Sequence, residues 1–209
     1  MFLLISKIED ILMKKIETVW CQLLYDGLEK RQLRFQQRGL AEKLAISLST
    51  VNHALKDLRR MGGVRVGGKG GEIVDVEKIL MHWANHRRLE NDVVFTLMVK
   101  EPVLEVEGIL PPGSILGAYS AVRQWYGEAP ADYSSVYVYH PQPELVQERL
   151  VGIEGKLTKV IGLNLPETIP TREETTSLGH TFVDLWNLTD WMAKDFIKRI
   201  REEMDGILS

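Results

Sequence analysis

The chain has 209 residues, 44% of them hydrophobic and 26% charged, with one cysteine and a formal net charge of −3. That composition excludes a disordered chain, an internal disulfide framework and a cysteine-built zinc site, and it leaves room for one large domain or two modest ones. No run approaches the ~20 apolar residues of a membrane span, so a soluble cytoplasmic protein is expected, with Cys21 as small buried filler in a reducing compartment.

The opening Met1 to Ile5 is apolar but too short for a signal sequence, and acidic Glu9 and Asp10 follow it. From Lys7 to about Leu28, the residues Ile8, Ile11, Leu12, Ile16, Val19, Trp20, Leu23 and Leu24 form one helical stripe. Two readings of its length stand side by side. It is one core helix with a frayed start, or its first turns pair with a second copy of the chain.

Residues 37–74 read QRGLAEKLAISLSTVNHALKDLRRMGGVRVGGKGGEIV. Leu40 and Leu44, then Val51, Leu55 and Leu58, recur at helical spacing, so two short helices each turn one apolar stripe toward a shared small core. Ala41 and Ala45 are expected to let those helices approach closely, Ile46 to plug the turn, and Ser47 to accept from the orphan amides that open the second helix. The outward positions of that helix are then Ser49, Thr50, Asn52, His53 and Lys56, short polar groups near its start, as a helix that reads base edges in a major groove presents them. Arg59 and Arg60 precede Gly62-Gly63, which stops the helix, and Val64-Arg65-Val66 alternates as a strand does. Gly67 to Gly71 turns the chain back toward Ile73-Val74, and a glycine loop tipped by Lys69 suits a phosphate backbone or a minor groove. A nucleotide-cradling loop is the other reading of those glycines, but no Gly-Lys-Ser/Thr follows and the flanking elements come in the wrong order.

Charge follows the same segment. Between Glu29 and Gly70 there are ten basic and three acidic residues, a net of +7 inside a chain of −3. The cationic footprint therefore belongs to one module.

Asp75 is placed to cap a helix from Val76 through Leu80, Trp83 and Leu89, which closes a first domain of residues 1–90. His82 and His86 stand one turn apart on it without the glutamate of a zinc-protease motif or an evident third ligand, so they are read as surface or linker histidines and no metal is expected. A second domain, residues 91–209, opens with the strand-like run Val93 to Val99, broken by Glu101-Pro102, and turns at Pro111-Pro112-Gly113. Gly113 to Arg123 reads as a helix with small residues on one side, Val136 to Tyr139 as a buried strand, Gln142 to Leu150 as a helix and Val160 to Leu165 as a strand. Thr181 to Trp186 precedes an amphipathic helix from about Leu188 through Ile200. The expected class is α+β, with the second domain built on the smaller sheet.

Leu40 to Leu58, with Leu-Ala-Glu-Lys-Leu-Ala-Ile-Ser and Ser-Thr-Val, closely resembles the helix-turn-helix of bacterial and archaeal winged-helix transcription regulators, and the glycine hairpin extends the likeness to about Val74. The wider pattern, with Gly117 to Arg123, Val136 to Tyr139 and Phe182 to Trp186, resembles AbiEi-type antitoxins and their free-standing regulator relatives. In that family the first module binds DNA and represses its own operon, and the second serves protein partners. By this resemblance Ser49, Thr50, Asn52, His53 and Lys56 inherit base reading, and Arg59, Arg60, Arg65 and Lys69 inherit backbone contact.

The resulting expectation is a sequence-specific transcriptional regulator of double-stranded DNA, a dimeric repressor with antitoxin-like organisation. It carries no cofactor and has no membrane partner, and its C-terminal domain takes a protein partner or a small-molecule effector. Two alternatives stay open. One is a winged-helix protein-interaction module. The other is a nucleotidyltransferase-like enzyme, since Gly113-Ser114 ahead of a helix is similar to a phosphate-binding entry; against it, the strand that should carry two magnesium carboxylates offers Asp132 alone. Asp184, between Val183 and Leu185, needs a hydrogen-bond partner; His140 and His180 read as loop residues; Tyr119, Arg123, Trp125 and Tyr126 read as core or as the lining of a small-molecule pocket.

Overall fold

The computed structural model describes residues 2–68, 70–166 and 168–208, with side chains described from residue 15 to residue 207 of these. Lys69 lies outside the described residues, as do the side chains of Ile8, Ile11 and Leu12 on which the pairing of the first helix was to rest. The fold is mixed, about 50% helix and 20% strand, as an α+β class requires. It divides into two compact units, residues 1–87 with 168–170 and residues 88–167 with 171–209.

The first unit runs α1 (Phe2–Leu28), β1 (Arg34–Phe35), α2 (Gln37–Lys43), α3 (Leu48–Arg60), β2 (Val64–Gly67), β3 (Gly70–Ile73) and α4 (Val76–His86). Its three strands pair antiparallel in the order β1-β3-β2. Val19, Leu23 and Leu24 of α1, Val51, Leu55 and Leu58 of α3, and Ile79 and Trp83 of α4 are all buried. Burying a side chain of this size contributes about 1.5 to 3 kcal/mol, so the apolar stripes hold the helices together. The Trp20 indole adds direction, donating from Nε1 to the Ala54 carbonyl across 2.9 Å.

Both ends of the α2–α3 turn are closed by local hydrogen bonds. After α2 the Ala45 amide donates to Glu42 O and the Ile46 amide to Ala41 O, a Schellman closure with Ala45 at φ +51° where glycine is usual. Ala45 is therefore an exposed turn residue and not, as expected, part of a helix contact; Ala41 alone is buried there. Ser47 caps α3, its Oγ accepting from the Thr50 amide at 3.0 Å. At the far end Gly62, at φ +77°, and Gly63 repeat the same closure on Arg59 and Leu58. Asp75 caps α4 through the Lys78 amide, and that helix stops at His86, short of the expected Leu89. His82 and His86 lie 4.2 Å apart beside Trp20, and among the described residues no set of three His, Cys, Asp or Glu forms a metal cage.

The second unit opens with a 3-10 turn (Leu89–Asp92) and continues β4 (Val93–Val99), α5 (Val103–Ile109), β5 (Ile115–Gly117), α6 (Ala118–Tyr126), β6 (Ser135–His140), α7 (Pro143–Arg149), β7 (Thr158–Asn164), β8 (Thr171–Arg172), β9 (Thr175–Thr176), α8 (Leu178–Trp186) and α9 (Ala193–Leu208). The strands form one sheet in the order β4-β7-β6-β5-β9-β8. It is the larger sheet of the molecule, which corrects the expectation of a smaller one. The difference lies in β5, β8 and β9, strands of two or three residues that no periodicity announces.

The central strand β6 is buried on both faces, as its unbroken apolar run implies. Val136 and Val138 pack with Phe95, Val106, Val146 and Val160. Tyr139 donates its hydroxyl to Asp184 of α8 at 2.6 Å, which supplies the partner that carboxylate requires. Corrections cluster around this core. Residues 115–117 form a strand and not the start of a helix, since Leu116 hydrogen-bonds to Glu174 O and pairs with β6. The closing helix α9 begins at Ala193, later than Leu188. His140 ends β6, held by the Gln142 amide, and His180 is buried in α8 at 3.5 Å from Asp184, so neither is a loop residue.

Candidate nucleic-acid interface

The cap at Ser47 and the buried stripe Val51, Ala54, Leu55 and Leu58 fix which face of α3 turns outward. On it Ser49, Asn52, His53, Lys56, Arg59 and Arg60 are exposed and together line one groove of about 620 Å³. Thr50 is half-buried, and its hydroxyl lies 2.8 Å from Ser47 Oγ, so it serves the cap and stands back from the groove. Arg65 belongs to β2 and is not brought into that groove.

Two of the cations meet carboxylates. Arg60 lies 3.3 Å from Asp57, with 82% of its side chain exposed, and Arg65 lies 3.4 Å from Glu72. Exposed pairs of this kind hold by roughly 0 to 1 kcal/mol, so an arriving phosphate exchanges with the acid at little cost. The groove is thus polar, cationic and water-facing. It has hydrogen-bond donors and acceptors near the start of a helix whose buried side is locked to α1, and such a surface can pair with base edges and with phosphate oxygens.

A second groove, about 580 Å³, runs between the hairpin and the start of α2 and is lined by Gln36, Gln37, Arg38, Leu48 and the glycines Gly67, Gly68 and Gly70. Gln37 and Arg38 were not singled out from the sequence. Their signal was there, a polar run immediately ahead of the Leu40 stripe, but only the fold of the hairpin brings it alongside the glycines. Those glycines have distinct reasons. A Cβ on Gly67 or Gly68 would meet nothing within 4 Å, whereas one on Gly71 would fall 2.3 Å from the Phe35 ring and one on Gly70 2.6 Å from the Phe35 carbonyl. The first pair leaves the hairpin bare for a close approach, and the second pair lets β1 pack against it.

In the second unit Tyr119, Arg123, Trp125 and Tyr126 are tied into side-chain bonds. Tyr119 donates to Asp190, Arg123 pairs with Glu107 and Tyr133, Trp125 donates to Thr175, and Tyr126 donates to Glu203. Burial first, then the Glu107 carboxylate, pushes the Tyr133 phenol up to about 12. Asp132 is exposed ahead of β6. No helix among the described residues is long and apolar enough to cross a membrane. No family model matches the chain, and neither a curated protein nor a solved structure matches it.

Proposed function

We propose that the chain is a sequence-reading regulator of double-stranded DNA whose first unit is a winged helix-turn-helix, with α3 in the major groove and the β2–β3 hairpin as the wing. The observation that carries this reading is the gathering of Ser49, Asn52, His53, Lys56, Arg59 and Arg60 along one exposed groove of a capped helix. Phosphate neutralisation by the cations supplies most of the affinity, and each good base contact adds about 1 to 3 kcal/mol of discrimination. A homodimer reads two half-sites about one helical turn apart, and the second unit carries the partner or effector function of a repressor.

Selection of bound duplexes from a random pool by the full chain tests the proposal. A recovered motif with two-fold symmetry supports a dimeric reader. A recovered pool indistinguishable from the input overturns the reading.

A further inference from the structure

The end of α1, β1, α2 and the three-stranded sheet border a trough of about 960 Å³. That lies at the upper end of the roughly 300 to 1,000 Å³ in which small ligands are bound. Its charged lining is Lys30, Arg34, Lys43 and Arg65 with Asp26 and Glu72. The cations arrive from separate elements: Lys30 just past α1, Arg34 on β1, Lys43 closing α2 and Arg65 on β2.

Asp26 Oδ1 stands 3.6 Å from Lys30 Nζ and 3.8 Å from Lys43 Nζ, and both lysine side chains are nearly half exposed. These are ion-pair separations, longer than the roughly 2.7 to 3.2 Å of a hydrogen bond, so the ammonium protons stay available to a ligand. Lys30 also lies over the face of Tyr25, 4.8 Å from the ring centre, a contact that needs no hydrogen bond. In the sheet Glu72 is in register with both Arg34 and Arg65, and its carboxylate meets Arg65 at 3.4 Å. Among the described residues Arg34 makes no ion pair. Two ammoniums on one carboxylate also repel each other. Burial draws the Lys43 ammonium below its usual value, Asp26 opposes this, and Lys30 adds to the lowering. An anion entering the trough relieves that repulsion.

We propose that the trough is a binding site for a phosphoryl dianion, free phosphate or the monoester of a small metabolite, held jointly by Lys30, Lys43 and Arg34. Four cations on two carboxylates leave two positive charges uncompensated. A phosphomonoester brings about −1.5 to −2 at neutral pH and three strong acceptor oxygens, which matches both the excess charge and the three cations. A carboxylate ligand would neutralise only half of that excess. The volume beyond the phosphoryl group is bordered by Phe35, Leu40 and Val66, an apolar wall for the organic part of a monoester. The site goes beyond the DNA-reading proposal and does not depend on it.

The test is calorimetric titration of the full chain, in phosphate-free buffer at low chloride, with inorganic phosphate, with adenosine 5′-monophosphate and with adenosine. The expected result is saturable binding of the two phosphates and none of adenosine. Tighter binding of the nucleotide assigns the site to a monoester, and phosphate bound at least as tightly assigns it to the free ion. Lys43→Gln and Arg34→Gln should each weaken binding by about tenfold or more, the worth of one charged hydrogen bond. Lys159→Gln, which removes an exposed cation of β7, should leave it unchanged. If Lys43→Gln does not fold, Lys30→Gln and Arg34→Gln decide. Heats of dilution alone from both phosphates overturn the site, and so does adenosine bound as tightly as its monophosphate. Unchanged binding in the trough variants places the anion elsewhere and overturns it too. Equal weakening by Lys159→Gln and the trough variants marks general attraction to cations and is equally fatal.

Discussion

The Trp20 indole donates to the carbonyl of Ala54 across 2.9 Å, a buried bond that joins the second half of α1 to the middle of the helix bearing the candidate interface. Ala54 sits on the buried side of α3 between Val51 and Leu58, so this bond sets the roll of α3 as well as its position. Trp20→Phe keeps most of the apolar bulk but removes the donor. It should cost about 0.5 to 1.5 kcal/mol, the range for one hydrogen bond, because the Ala54 carbonyl keeps its place in the α3 ladder, while Trp20→Ala should cost about 3 to 5 kcal/mol. Urea unfolding of the two variants checks the order and the sizes.

Ala45 gives the least intuitive expectation. It holds the left-handed position of the turn after α2, with its amide and that of Ile46 already hydrogen-bonded back into the helix. A side chain there costs roughly 1 to 2 kcal/mol, and glycine returns about half of that as extra unfolded-state entropy. Ala45→Gly should therefore raise stability by about 0.5 to 1 kcal/mol without altering any side-chain contact in the α3 groove. A lower thermal midpoint for that variant would contradict the turn geometry.

His82 makes stability depend on pH in a definite direction. Burial holds its pKa below the ordinary 6.5, His86 beside it lowers it further, Asp57 opposes and Arg60 adds a small lowering. The unfolded chain then takes up the proton more readily than the folded one. This contribution is whole above pH 6.5 and is lost as the pH falls from there toward the depressed folded value. His82→Gln should flatten that part of the stability curve while leaving the region above neutrality unchanged. Chemical denaturation at a series of pH values reads the difference.

Legibility in the sequence follows the range of the interactions. The stripe Leu40, Leu44, Val51, Leu55 and Leu58, the cap residues Ser47 and Asp75, and the stop at Gly62 are local signals, and each lies where it was expected. The helix α5 is hidden in the sequence because Pro102, which ends the apolar run of β4, also stands at the cap position of a short helix whose buried residue is Val106. Residues 115–117 escaped because the hydrogen bonds that make them a strand come from Tyr137, Tyr139 and Glu174, all distant in sequence. At the candidate interface, the outward residues of α3 were legible from helical spacing alone. The engagement of Thr50 with Ser47, the seating of Arg38 beside the hairpin and the placing of Glu72 between Arg34 and Arg65 depend on the three-stranded register, which no local pattern carries.

The most direct measurement is fluorescence anisotropy of the full chain on its selected duplex and on variants of that duplex changed at one base pair each, for the wild type and for Asn52→Ala. The expected result is saturable binding in which single changes cost about 1 to 3 kcal/mol, with that cost abolished at one position, and only one, by Asn52→Ala. Isotherms for Asn52→Ala that overlay the wild type on every duplex, or a wild type that gives no saturable signal at moderate salt, would contradict a reading role for the outward face of α3.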